Sequence, residues 1–365
     1  MPQASKKRVL LVDDAVVVRK ALSLAIAQDQ DLEVAGTAVN GRVALAKFPA
    51  LKPDIVLLDC EMPEMDGLET VCELRKIDSR VPIIMFSSLT ERGASVTLEA
   101  LSLGATDYVT KPSNVDMAAT LAAISRELIP KIRALCRLSE VRFNGATAKP
   151  TQQARPICAP PRPRLLSPVQ VVAIGVSTGG PDALARVLPF LPANFPVPIV
   201  IAQHMPPIFT SLLAARLSAK SELLVRECVS GQTLIPGCAV IAPGDFHMVA
   251  SQQDGCVVLK THQGPKENFC RPSVDVLFHS IARVYGARAL AVVLTGMGQD
   301  GLKGCETLRS LGARIYVQDE ASSVVWGMPG FVAKGGLADK ILPLDQMGAE
   351  IVRATVLQSA ARNQS

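Results

Sequence analysis

Aromatic side chains are scarce in this sequence: one Trp, three Tyr and ten Phe make up 4% of 365 residues. The cores must therefore be aliphatic, and a surface that stacks nucleic-acid bases on aromatic rings is not expected. A strong excess of one charge is missing as well. Thirty-eight Lys and Arg against 33 Asp and Glu leave a formal net charge of +5, too weak a field to demand a polyanionic partner. The nine cysteines include no CxxC pair, so they read as reduced thiols of a cytosolic protein rather than a disulfide or zinc framework. No apolar run is long enough for a membrane-spanning helix. Asp13 and Asp14 end the first apolar run too early for a secretory signal. A cytoplasmic protein without nucleic acid and without direct membrane insertion is expected.

What the chain does contain is hydrophobic residues, at 48%, and a rhythm of short apolar runs and helical patterns. A chain this long should hold two or three domains. In the first 130 residues, "RVLLVDD", "LEVAGTA", "DIVLLD", "PIIMFSS" and "DYVTKP" read as strands alternating with helices. That alternation implies a parallel sheet covered on both faces. From Val141 to Pro168 there is no Asp or Glu, and six prolines fall between Pro150 and Pro168, as in an extended, semi-rigid linker. Pro130 should interrupt the preceding helical pattern and open a short extra helix, "PKIRALCRLSE". The expected division is a first domain over 1–130, a helix and Pro-rich linker over 131–168, and a second domain over 169–360. In the second domain "QVVAIG", "PIVIAQ" and "ALAVVLTG" read as buried strands of a doubly wound parallel sheet. The stretch 223–260, with its "SG", "PG" and "DG" turn signals, reads as inserted antiparallel hairpins.

Polar residues close the strands of the first domain. Asp13 and Asp14 follow the first, Asp59 ends the third, Ser87 the fourth, and Lys111 follows the fifth. In an open parallel sheet these positions line one edge, where ligands bind. Three clustered carboxylates repel one another and need a cation; oxygen ligands with few fixed protein contacts suit Mg²⁺ at Asp13, Asp14 and Asp59. Asp59 can then accept a phosphoryl group as an acyl phosphate. Lys111 would hold a phosphate oxygen and Ser87 would hydrogen-bond the incoming group. Each residue alone fits an ordinary strand end, cap or solvated lysine; together the five point to phosphoryl transfer. With "MPEMDG" and "YVTKP", residues 8–128 resemble the response-regulator receiver domains of two-component signalling. The resemblance implies a flavodoxin-like (βα)5 fold with strand order 2-1-3-4-5, phosphorylation of Asp59 by a histidine kinase, and a switch role for Tyr108.

The second domain opens with "VVAIGVSTGGPDAL", in which Gly175, Ser177 and Gly179 match G-x-S-x-G, a strand–turn–helix that exposes a nucleophilic serine. The stretch lacks both the P-loop and the G-x-G-x-x-G spacing. A nucleophilic serine needs a base within reach, and the chain has four histidines. His204 follows a buried strand, as Ser177 does. His262 and His279 read as ordinary strand and helix residues, and His247 as a substrate contact. Asp300 lies in the glycine-rich loop after "ALAVVLTG" and belongs to the same edge, whereas Asp245, Asp275 and Asp319 follow no such strand. Ser177 as nucleophile, His204 as base and Asp300 as its orienter can meet at one rim. The Thr178 and Met297 amides are the expected oxyanion donors, Met297 in particular. The order Ser…His…Asp differs from that of α/β-hydrolases.

"IGVSTGGPDAL", "QHMPPIFT", "APGDFHM", "RPSVDVLF", "TGMGQDG" and "QDEASSVVWGMP" resemble the catalytic domain of the chemotaxis protein-glutamate methylesterases over roughly residues 169–350. One departure is "NFCRPS", where a more polar residue than Cys270 is expected before Arg271. The resemblance implies hydrolysis of glutamate methyl esters on chemoreceptors to glutamate and methanol, with no cofactor for that reaction, and deamidation of receptor glutamines. It implies that the unphosphorylated receiver covers the mouth of the triad and that phosphate on Asp59 opens it. The alternative is a non-catalytic module that docks on receptors or a kinase; three polar strand-end groups argue against it.

Overall fold

The computed structural model describes residues 6–111, 117–144 and 167–356. The chain divides into two compact units, Met1–Ala146 and Thr147–Ser365. Residues 145–166, which hold most of the expected Pro-rich linker, lie outside the described residues.

The first unit alternates β1 (Lys7–Val12), α1 (Val16–Ala27), β2 (Leu32–Ala38), α2 (Gly41–Leu51), β3 (Ile55–Asp59), α3 (Gly67–Ile77), β4 (Ile83–Ser87), α4 (Glu91–Ser102), β5 (Asp107–Thr110) and α5 (Met117–Asn144). Its strands form one parallel sheet in the order β2-β1-β3-β4-β5, as the receiver resemblance implies. The central strands are apolar throughout because helices cover both faces; Val9–Val12, Ile55–Leu58 and Ile83–Phe86 are all buried. Pro130 does not start a new helix, contrary to expectation: it sits inside α5. A proline there forfeits a backbone hydrogen bond, but Leu128, Ile132 and Leu135 carry a buried stripe straight through it. Lys131 then bridges Asp107 at 2.8 Å and Arg133 bridges Asp29 at 2.9 Å. Tertiary packing outweighs the local breaker.

The second unit contains β6 (Val171–Val176), α6 (Gly180–Val187), β7 (Ile199–Gln203), α7 (Phe209–Lys220), β8 (Leu224–Glu227), β9 (Cys238–Ile241), β10 (His247–Gln253), β11 (Cys256–His262), α8 (Val274–Tyr285), β12 (Ala289–Val293), α9 (Leu302–Ser310), β13 (Arg314–Gln318), α10 (Met328–Lys334), β14 (Lys340–Leu342) and α11 (Leu344–Val356). Seven strands form a parallel sheet in the order β14-β13-β12-β6-β7-β9-β8. The strand order reverses between β6 and β12, which opens a crevice at their carboxyl ends.

The inserted region is antiparallel only in part. β10 and β11 make a hairpin, but β8 and β9 extend the main sheet in parallel. The turn signals around them are loops between parallel strands, made feasible because α7 supplies the crossover before β8. The α7 sequence buries Phe209, Thr210, Leu213, Ala214 and Leu217, a stripe too mixed to stand out by hydropathy.

Candidate active site and receiver pocket

In the first unit the sheet edge gathers the expected residues. Lys111 Nζ lies 2.8 Å from Asp59 Oδ2 and 3.1 Å from Asp13 Oδ2. Asp13 and Asp59 are buried and Asp14 is exposed. Asp13 Oδ2 has no hydrogen-bond partner, so the nearby ammonium is a charge contact without alignment. Burial, only partly offset by Lys111 and reinforced by Asp13, pushes the Asp59 carboxyl up to about 6. Oxygen atoms of Asp13, Asp14 and Asp59 lie within 4.8 Å of one another. Two buried carboxylates sharing one ammonium, one of them resisting ionisation, and a third acid at the mouth fit a hard divalent cation. Ser87 is buried, and its hydroxyl donates to Gly93 O at 3.0 Å; it must rotate to meet an incoming phosphoryl group. Gly67 opens α3 so close to β3 that a Cβ would come within 2.4 Å of Asp59 O. Tyr108 is buried, with Lys131 Nζ 5.2 Å from its ring centre.

In the second unit, Ser177 and His204 end neighbouring strands. Val176 pairs with Gln203 across β6 and β7, and the His204 amide donates to Val176 O at 3.2 Å. Gln203, a polar residue closing an apolar strand, was not singled out in the sequence although it carries the signal used for Asp59. Its buried amide donates to Ser177 O and His204 O, both at 3.1 Å, tying the two turns together.

Asp300 Oδ2 lies 2.8 Å from His204 Nε2. The same carboxylate accepts from the amides of Val274 at 2.7 Å and Asp275 at 3.1 Å, at the start of α8. Ser273 Oγ and Asn268 Nδ2 add bonds of 2.9 and 2.8 Å. Burial alone would raise Asp300, but the imidazole and these amides outweigh it and hold its carboxyl far below the usual range; a helix N-terminus favours an anion. Burial would likewise lower His204. The Cys270 sulfur and the Asp300 carboxylate outweigh it, and the ring is pushed up from its ordinary value.

Cys270 is the residue sequence reasoning left without a role: its Sγ lies 3.5 Å from His204 Nδ1. Ser177 is half-buried, and its Oγ makes no hydrogen bond to a described residue. Such catalytic bonds are often loose until substrate arrives. Gly296 allows the loop after β12 to lie against the serine, since a Cβ there would come within 2.8 Å of Ser177 Cβ. The amides of Thr178 and Met297 donate to no described residue, as oxyanion donors require.

The other candidates have structural partners. His247 is buried, with Nδ1 accepting from the Ser273 amide at 3.2 Å and Nε2 lying 2.9 Å from Pro265 O. A ring with both nitrogens engaged is not free to meet substrate, which corrects that expectation. His262 Nδ1 accepts from Gly264 N, and His279 lies on α8. Asp245 pairs with Arg271, Asp275 accepts from Gly304 N, and Asp319 accepts from Ser322.

Comparison with known proteins bears on both units. The sequence model of the CheB methylesterase family matches residues 172–351, and that of the response regulator receiver domain matches residues 9–123. A protein-glutamate methylesterase/protein-glutamine glutaminase of Trichodesmium erythraeum is 47% identical over 351 residues, covering 95% of this chain and 99% of that protein. A protein of the same name from a Nocardioides species is 47% identical over 354 residues, covering 96% of each. The crystal structure of the Thermotoga maritima CheB methylesterase catalytic domain is similar at 42% identity and a TM-score of 0.50, covering 51% of this chain and 99% of that one.

Proposed function

The chain belongs to the CheB methylesterase family and carries the receiver domain of response regulators; from that premise we propose that it is a phosphorylation-regulated protein-glutamate methylesterase acting on chemoreceptors, and a glutaminase on the same proteins. The observation that carries this reading is the Asp300–His204 contact of 2.8 Å at the strand ends beside Ser177. Asp300 accepts a hydrogen bond from Nε2–H, which leaves the Nδ1 lone pair as the base. Ser177 Oγ attacks the ester carbonyl and gives its proton to Nδ1. The Met297 and Thr178 amides receive the developing oxyanion. Nδ1–H protonates departing methanol, and the same nitrogen activates the water that frees glutamate from Ser177. With a glutamine side chain, ammonia leaves instead.

In the receiver, Asp59 is the phosphoacceptor and a histidine kinase the phosphodonor. Asp13, Asp14 and Asp59 would hold Mg²⁺, which when bound offsets the negative charge of the carboxylates and phosphoryl group. Lys111 positions the phosphoryl oxygen, and Ser87 turns from Gly93 O to receive it. Phosphate on Asp59 shifts a two-state equilibrium toward the form in which the esterase is open; a near-complete switch needs about 5.5 kcal/mol of differential stabilisation. No helix among the described residues is long and apolar enough to cross a membrane, consistent with action from the cytoplasm on the cytoplasmic helices of receptors.

The test is methanol release from methyl-labelled receptor, with and without acetyl phosphate. We expect release that rises with phosphodonor and disappears in Ser177→Ala. Receptor binding without methanol would instead favour a docking module.

A further inference from the structure

Cys270 has a place in the site that the esterase reaction does not use. Its sulfur lies 3.5 Å from His204 Nδ1, while Asp300 holds Nε2 of the same ring at 2.8 Å. Thiol, imidazole and carboxylate thus stand in line, the arrangement that activates a cysteine nucleophile. The sulfur is fixed there by its loop. The Cys270 amide donates to Glu267 O at 2.8 Å, Asn268 is anchored on Asp275 and Asp300, and Arg271 is held by Asp245 and Gly264 O. Asn268 and Phe269 accept left-handed backbone angles of +50° and +63° to make this turn.

We propose that Cys270 is a reactive thiol that shares the esterase's base, and that its oxidation by peroxide reversibly shuts the esterase off. The loss of esterase activity rests on Ser177 and His204 acting in the proposed reaction; the reactivity of the thiol does not.

The chemistry balances within the site. The thiol gives its proton to Nδ1, and the thiolate attacks one oxygen of hydrogen peroxide. A S–O bond forms, the O–O bond breaks, and sulfur loses two electrons to become sulfenic acid. The departing hydroxide takes the proton from Nδ1 and leaves as water. Two molecules of a small thiol return the two electrons, giving Cys270, a disulfide and water. While oxidised, the sulfur carries an oxygen beside the nitrogen that must accept the Ser177 proton.

Apart from Cys72, half-buried on α3, the other described cysteines supply the contrast. Cys60, Cys136, Cys228, Cys238 and Cys305 are buried, and burial pushes Cys228 up to about 12 and raises Cys60, Cys238 and Cys305 as well. Thiols so placed are inert. Cys256 is exposed and its thiol hydrogen-bonds to no described residue, so it reports the reactivity of an ordinary surface thiol.

The experiment uses the full-length chain. Timed iodoacetamide labelling, read by peptide mass spectrometry, is expected to mark Cys270 at least about tenfold faster than Cys256 near neutral pH. In His204→Gln, Cys270 should slow to the Cys256 rate, while Cys256 is unchanged and Cys60 and Cys305 stay unlabelled, which certifies the fold. Peroxide should abolish methanol release in step with sulfenic acid at Cys270, and dithiothreitol should restore it. Whatever activity Cys270→Ser retains should survive the same peroxide dose. Fast, His204-dependent labelling in a protein that releases no methanol would sustain the thiol and sink the esterase. Cys270 labelled no faster than Cys256, or full esterase activity with Cys270 fully oxidised, overturns the proposal.

Discussion

The two units gather their candidate site residues at the same address, the carboxyl edge of a parallel sheet, yet treat a buried carboxylate in opposite ways. Asp59 is buried beside Asp13 with one cationic partner, and its carboxyl rises to about 6. Asp300 is equally buried but accepts from His204, Ser273, Asn268 and the first amides of α8, and its carboxyl falls. Burial raises both; the number and direction of donors decides the outcome. An anion left short of donors is poised to take a cation and a phosphoryl group. An anion saturated with donors is a fixed strut that holds an imidazole in one tautomer.

The sharpest way to break the comparison is to change one carboxylate in each unit to its amide. Asp300→Asn should cut methanol release roughly 10⁴-fold, the loss seen where a triad aspartate no longer sets the tautomer. Acetyl phosphate should still label Asp59 in that variant. Asp59→Asn should remove activation by acetyl phosphate and leave the unstimulated rate unchanged.

A smaller effect follows from crowding the rim. In Gly296→Ala the new methyl would press on Ser177 Cβ and on Met328 Sδ, 2.4 Å away. A displaced nucleophile should cost about tenfold to a hundredfold in kcat, measured on the full chain, with receiver phosphorylation intact.

The pH dependences should diverge as well. As the proposed base, His204 can act only when neutral, and its neighbours favour the protonated ring. The kcat/KM of the esterase should therefore climb with pH through a value above the usual imidazole range, and that limb should move to lower pH in Asp300→Asn. For Asp59 the native group holds its proton more tightly than the unfolded chain does. That contribution to stability is present below about 4 and is lost as pH rises through about 6. At pH 8 without divalent cation, Asp59→Asn should stabilise the receiver by roughly 2–3 kcal/mol. Urea denaturation with and without Mg²⁺ reads this directly; the gap should narrow when Mg²⁺ is present.

Much of this organisation is legible in the sequence because fully buried parallel strands are apolar runs, and a polar residue closing such a run is conspicuous. Asp59, Ser177 and His204 stand out in that way. β8 and β9 do not, since each has only four residues and is framed by turn signals that suit a hairpin equally well. Pro130 misleads because a local rule yields to the buried stripe of α5. The partners of His204 and Asp300 are hidden for another reason. Asn268, Cys270 and Ser273 lie on a loop whose course depends on Arg271 meeting Asp245 and on His247 receiving the Ser273 amide. Such long-range contacts leave no periodicity to read.

The proposed reaction passes through a covalent bond between Ser177 and the substrate's acyl group. A glutamate methyl ester peptide can be mixed with the full-length protein, quenched in acid during turnover, and the digest weighed by mass spectrometry. This reaction requires a glutamyl adduct on the fragment bearing Ser177, absent from Ser177→Ala, which releases no methanol. Wild-type methanol release by Ser177→Ala, or an acyl group found only on another residue, would contradict it.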